Sequence, residues 1–359
     1  MQPFMEVIMF GAGAGGDMLQ QDVGAIMGVL VGALAFVMNL ILNAVSALTE
    51  RNSIGITIIL ATIVLRLLML PQGIQMVKSQ MKMRLAKPEI DKIKKKYGNT
   101  KDPETMRKVQ AETQEVYRKH KINMFGGCLP LLITMPIFIA FIDLMRRLPV
   151  YLNRVRDLYD EICYTLIHGI EGFAEQGSIL WDIAVTKVPA NFIQNLGRPL
   201  DIRVVEDLRR FIDTFTDYEW ATITDYARSV DPAVYERLNI LWAQRVDMQS
   251  FLGLNLVANA GLGWPGIMIP IFSGGTSFLL SFMTSKTMPA QEQSMRMNQM
   301  IMMVVMPAMM FFFTINISGG VGVYWITGNI FAIIQQLLLV KFLFKNQNGG
   351  TEIIGKTKD

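Results

Sequence analysis

Arg66 stands inside the run Ile56–Leu70, ITIILATIVLRLLML, where nearly every other side chain is apolar. A guanidinium keeps its charge at any physiological pH. Facing lipid at mid-membrane, such a charge costs from about 3 to more than 10 kcal/mol. Arg66 lies about 12 residues from the outer end of its run, or about 18 Å along a helix, which is near mid-depth. A buried ion pair would lower the cost, but acids are nearly absent from the apolar runs, and Asp143 lies close to the end of its own. A hydrated cavity is the remaining arrangement. Thr62, four residues earlier, shares the helical face of Arg66. Thr134 and Asn329 are polar residues inside other apolar runs and are candidates for the same lining. The chemistry open to such a set is electrostatic attraction of polar or acidic groups.

No other residue pattern points to bond-making. His120 and His168 are the only histidines, and neither stands in a metal-ligand or triad spacing. Cys128 and Cys163 are the only cysteines, and their contexts do not suggest a disulfide framework. The glycines of Gly11–Gly16, GAGAGG, do not open a helix after a strand and read as a flexible leader, not a phosphate loop. No cofactor and no metal are expected.

The elements that must position Arg66 are membrane helices. Of the 359 residues 51% are hydrophobic and only 18% charged, below the roughly 25% of soluble domains. A span needs about 20 mostly apolar residues. Five runs qualify, at 54–77, 129–147, 264–284, 300–317 and 321–344, so the expected fold is all-α and polytopic. A further run, Ala25–Leu48, carries Asn39 and Asn43, which would face lipid in a spanning helix. Residues 1–53 therefore read as a leader and an interfacial helix, with spanning as the alternative. Pro130, Pro136 and Pro307 suggest bends inside spans.

Charge sets the expected orientation. Segment 78–125 is dense in Lys and Arg and should be cytoplasmic, as should 285–299 and the tail 345–359. Segment 148–263 is acidic, with Lys187 its only lysine, and should be extracytoplasmic. Arg146 and Arg147 run against the rule, as a long translocated loop allows. Within the basic segment, Met81, Leu85, Ile90 and Ile93 fall roughly on one helical face, and Met106, Val109, Thr113 and Val116 on another. Gly98, Asn99 and Pro103 break the pattern, and Asp102 before Pro103 is placed to cap a second helix. A helical hairpin is expected. In the acidic segment, Val234, Leu238, Leu241 and Trp242 share a face, which suggests a helical subdomain on the outer leaflet.

These runs resemble a known family. NMFGGCLPLLITMPIFIAFIDLMRRLP is similar to the second core span of the YidC family of membrane protein insertases, which is related to the mitochondrial and chloroplast insertases. TIVLRLLMLP resembles its first core span with the arginine in register, MKMRLAKPEIDKIKKKYG the start of its cytoplasmic hairpin, and GGVGVYWITGNIFAIIQQLLL its last span. Without room for a large β-rich domain before the core, the chain looks like the Gram-positive type. The segment 148–263 is longer than the usual link and stands as an insertion. Thr134 occupies a position where the family often has Gln.

The resemblance implies a groove open to cytoplasm and lipid but closed to the outside, lined by Arg66, Thr62, Thr134 and Asn329. It also implies a hydrophobic slide of Met135, Phe138, Phe313, Tyr324 and Trp325, with lipid contact or ordinary packing as the alternative for each. The implied activity is the insertion and chaperoning of nascent membrane proteins in the bacterial plasma membrane. The ribosome, through the basic hairpin, and the Sec translocon are the other implied partners. The 26 methionines suit surfaces that bind varied apolar segments. A solute transporter or anion channel using Arg66 as its binding charge is the alternative, and internal repeats expected of transporters are not visible. A passive scaffold is the third.

Overall fold

Pro71 divides the first expected span. In the computed structural model, helix α2 (Ser53–Leu68) ends where α3 (Leu70–Tyr97) begins, and the two meet at 59°. Pro71 has no N–H to give the carbonyl four residues earlier, so the apolar run 54–77 cannot be one straight helix. The structure describes residues 25–49, 51–98, 102–122, 129–173, 178–179, 183, 205–213, 215–287 and 301–347. The leader expectation at Gly11–Gly16, the loop 285–299 beyond Thr287, most of the tail 345–359, and Cys128 lie outside them.

Further helices among the described residues are α1 (Ala25–Ser46), α4 (Pro103–Lys119), α5 (Leu129–Arg146), α6 (Leu148–Tyr151), α7 (Asn153–Gly169), α8 (Val205–Ile212), α9 (Asp217–Val230), α10 (Pro232–Gln249), α11 (Met268–Thr287), α12 (Met306–Ile315) and α13 (Gly319–Gln347). The only strands among the described residues are Ser250–Phe251 and Leu254–Asn255, a two-stranded hairpin. Met27–Ser46, Met268–Ser285 and Gly319–Lys341 are each long and apolar enough to cross a membrane, and the bent pair Ser53–Leu68 and Leu70–Met83 passes the same test together. The fourth expected span, 300–317, is a π-helical turn, Ile301–Val305, followed by α12 with Pro307 near its start. Pro307 again lacks the N–H that a regular turn would need there.

The chain forms two units, and α2, α5 and α13 run from one into the other. The first holds Met1–Ala61, Ile137–Gly266 and Asn316–Val321. Its centre is α7, against which α1, α6, α8 and α10 pack, while α9 packs on α10. The α7 residues Tyr159, Ile162, Cys163 and Leu166 are fully buried, spaced to share one face. Asp231 caps α10 by accepting from the Ala233 N–H at 2.8 Å, with Pro232 at the first helical position; such a cap contributes about 1 kcal/mol. Of the expected face on α10, Leu238 and Leu241 are buried, and Trp242 stacks on Trp220 at 4.0 Å. Asn39 of α1 is not turned to lipid. Its amide donates to the Ala35 and Tyr151 carbonyls at 2.9 and 2.8 Å, and its oxygen accepts from the Asn153 N–H at 2.9 Å. That takes one of two asparagines out of the argument for an interfacial helix, while Asn43 is exposed.

The second unit holds Thr62–Pro136, Ile267–Ile315 and Gly322–Asp359. Here α11 packs on α12 and on α3, and α3 pairs with α4 as the expected hairpin. Gly98, at φ +63°, sits just past the end of α3 in the left-handed conformation glycine tolerates best. Asp102 caps α4 as expected, accepting from Thr105 N–H at 2.9 Å. The hairpin core is Ala86, Ile90, Val116, Tyr117 and Ile122, with Met83 and Ile93 against it. Leu85 and Met106, expected on the inner faces, are exposed instead. Ala86, Ile90 and Ile93 make the tighter helical stripe, one residue round from Leu85.

Candidate functional site: an arginine laid against a glycine

Arg66 lies in the last turn of α2, one turn before the break at Met69. A cation there suits the carbonyl end of the helix. Thr62, one turn earlier, is buried. Among the described residues no carboxylate pairs with Arg66, and the group that acts on it electrostatically is Tyr324. Tyr324 is 7% exposed, and Gly328 follows it by one turn of α13, on the same face. A Cβ added to Gly328 would stand 2.5 Å from Arg66 Nη2. The guanidinium is therefore laid against bare backbone.

Asn329 and Trp325 point into a different setting, against α11. The orientation of the Asn329 amide that satisfies its neighbours has its oxygen accepting from Ser277 Oγ at 2.9 Å, Thr276 Oγ1 at 3.1 Å and Trp325 Nε1 at 3.1 Å. Trp325 Nε1 also reaches Ser277 Oγ at 2.8 Å. This is a compact polar cluster inside two apolar helices, where an unmet group would cost several kcal/mol. A little further along α13, Gln335 packs against Gly73 of α3, where an added Cβ would fall 2.0 Å from its amide nitrogen.

The other expected residues lie elsewhere in their helices. Thr134 and Met135 are half-buried on α5, and Phe138 of the same helix is buried. Phe313 is half-buried on α12, whereas its neighbour Phe312 is 65% exposed. Exposed Phe278, Leu279, Ile330, Ile334 and Leu337 give α11 and α13 apolar outer surfaces suited to lipid. Gly328, Ser277 and Thr276 join the site without a charge or motif that marks them in the sequence. An isolated glycine within a long apolar helix was the available signal.

The described residues hold no group of three or more His, Cys, Asp or Glu able to bind a metal ion. The hairpin places its charges in pairs. Glu89 takes Lys119 at 3.0 Å and His120 at 3.1 Å, and Glu112 takes Lys96 at 2.8 Å and Tyr97 at 2.6 Å. Hydrogen bonds from Lys119 and from Lys96 hold the Glu89 and Glu112 carboxyls below the usual carboxylate range. Cys163 is pushed up to about 12 by burial, which leaves it an inert thiol.

Residues 45–187 and 229–347 match the model of a family described as 60Kd inner membrane protein. The chain belongs to that family. The interval between the two matched stretches, 188–228, falls within the acidic segment 148–263. Among this member's relatives is the membrane protein insertase YidC of Oceanobacillus iheyensis, 24% identical over 80% of this chain and 74% of the relative. The insertase MisCA of Bacillus subtilis is 42% identical over a shorter stretch, 30% of this chain and 40% of the relative. YidC 1 of Halalkalibacterium halodurans is 37% identical over 35% and 51%. The family member described here is thus a multi-pass, all-α membrane protein, similar to proteins of Gram-positive bacteria.

Proposed function

We propose that this protein is a membrane protein insertase and chaperone acting through a hydrated groove open to the cytoplasm and to lipid. The observation that carries this reading is the intramembrane cation Arg66, without a carboxylate partner among the described residues and laid against Gly328. The names of its relatives supply the activity class. A nascent chain has a polar end that must cross and an apolar stretch that must stay. Arg66 attracts the polar end and shortens the path over which it is fully dehydrated, with Thr62 and Thr134 as the polar positions of the groove, while Asn329 serves the cluster with Ser277. Of the expected slide, the half-buried Met135 and Phe313 are the residues suited to meet the apolar stretch on its way into lipid. Transfer of apolar surface, at roughly 25 cal/mol per Å², drives the step without nucleotide hydrolysis. The basic hairpin of α3 and α4 is the element suited to a ribosome, and a Sec channel is a second partner at the membrane.

Purified protein in liposomes tests this directly. Insertion of a small single-span protein with an acidic translocated end is expected, with no chloride flux. Chloride flux without insertion would replace the insertase with an anion channel.

A further inference from the structure

Gly328 stands where a side chain would strike Arg66. Glycine is a poor helix former, and this one lies buried within the 29-residue helix α13, one turn after Tyr324. The three nearest atoms to a Cβ at this position all belong to the Arg66 guanidinium: Nη2 at 2.5 Å, and Cζ and Nε at 3.2 Å. Whatever else lies near, the first atoms a methyl group would strike are those of the cation. We propose that Gly328 is a positioning residue, whose missing side chain lets the Arg66 guanidinium dock on α13 beside Tyr324 and so sets where the cation stands. This rests on the reading of Arg66 as the groove cation.

The geometry separates this role from helix packing. At Gly322, by contrast, an added Cβ would meet Ile269 at 2.1 Å, an apolar contact between helices. At Gly328 the obstacle is the far end of a long, flexible side chain. An alanine there displaces the cation and leaves the helices where they are.

The test is a cycle of Gly328→Ala and Arg66→Ala, singly and together, in proteoliposomes with two substrates that differ only in an acidic or an uncharged translocated end. Gly328→Ala is expected to lower insertion of the acidic substrate about fivefold, a coupling usual for touching residues, and to spare the uncharged one. Added to Arg66→Ala it is expected to change nothing, because the space it fills is then empty. A loss that persists in the Arg66→Ala background, or that falls equally on both substrates, would make Gly328 a packing residue and overturn the proposal. Normal insertion by Gly328→Ala, beside a clear loss in Arg66→Ala, would overturn it while leaving the groove reading intact. Normal insertion of the acidic substrate by Arg66→Ala would remove the groove reading and this proposal with it. The double variant, which has room for the new methyl group, controls for folding through its melting temperature.

Discussion

Two arginines of this chain sit among aromatic residues and have opposite surroundings. Arg245, in the first unit, is 8% exposed and its needs are met locally. Its Nε donates to the Tyr159 hydroxyl at 2.7 Å, which donates in turn to Asp213 at 2.7 Å, and its guanidinium covers the Trp242 ring at 4.1 Å. Arg66, in the second unit, has a tyrosine and a bare helix backbone, with no carboxylate among the described residues. A buried cation woven into hydrogen bonds and aromatic stacks is a structural element. A cation left with a weak partner inside an apolar region keeps most of its attraction for something that arrives later. The two differ in what their removal should do.

The largest effect is expected at Arg245. Arg245→Ala takes a cation from a closed network and should destabilise the protein by about 3 kcal/mol, read as a clear drop in melting temperature in detergent. Tyr159→Phe should lose less, as a single shared hydroxyl. If Arg245→Ala melts like the parent, the contrast between the two arginines collapses.

Arg66→Ala should leave the melting temperature nearly unchanged while insertion falls. A unit charge about 10 Å away, at an effective dielectric of about 20, is attracted by about 1.7 kcal/mol, so acidic translocated ends should lose more than tenfold. Arg66→Lys should retain most activity, because attraction through water depends on charge more than on the guanidinium fork. A large fall in melting temperature with every substrate lost alike would place Arg66 in the same class as Arg245.

The smallest effect concerns a third kind of charge, the exposed pairs of the hairpin. Glu89 and Glu112 have folded pKa values below their unfolded ones. Their contribution is present above the unfolded carboxylate pKa of about 4.3 and is lost as pH falls through the folded values. Exposed pairs contribute little, so protection in α3 and α4, taken relative to the intrinsic exchange rate at each pH, should fall only modestly between pH 6 and pH 3, by about twofold. Unchanged protection would mean that the apolar core of Ala86, Ile90 and Val116 holds the hairpin alone.

What the sequence reveals follows the range of the interactions. Long apolar helices and the cap at Asp102 are local, and both are legible in the sequence. The break at Met69 was also local, marked by Pro71, but the apolar run continued past it and hid it. Leu85 is the more hydrophobic residue but Ala86 is the buried one, because the small side chain lets α3 and α4 approach closely. The network of Tyr159, Asp213 and Arg245 joins residues far apart in the chain, and no pattern announces it. Likewise, Arg66 declared that it needed a special environment, but nothing in the one-dimensional record said that Gly328 would supply part of it.

The break at Met69 gives the second unit a mechanical character. Beyond it α3 runs unbroken for 28 residues, from Leu70 beside the cation to Tyr97 at the tip of the hairpin. That is a rod of about 42 Å, so a tilt of about 5° about its Leu70 end would move the tip by about 4 Å. Any load taken up at the far end would therefore act with leverage: a large displacement at the tip becomes a fine adjustment of the backbone at the break, one turn from Arg66.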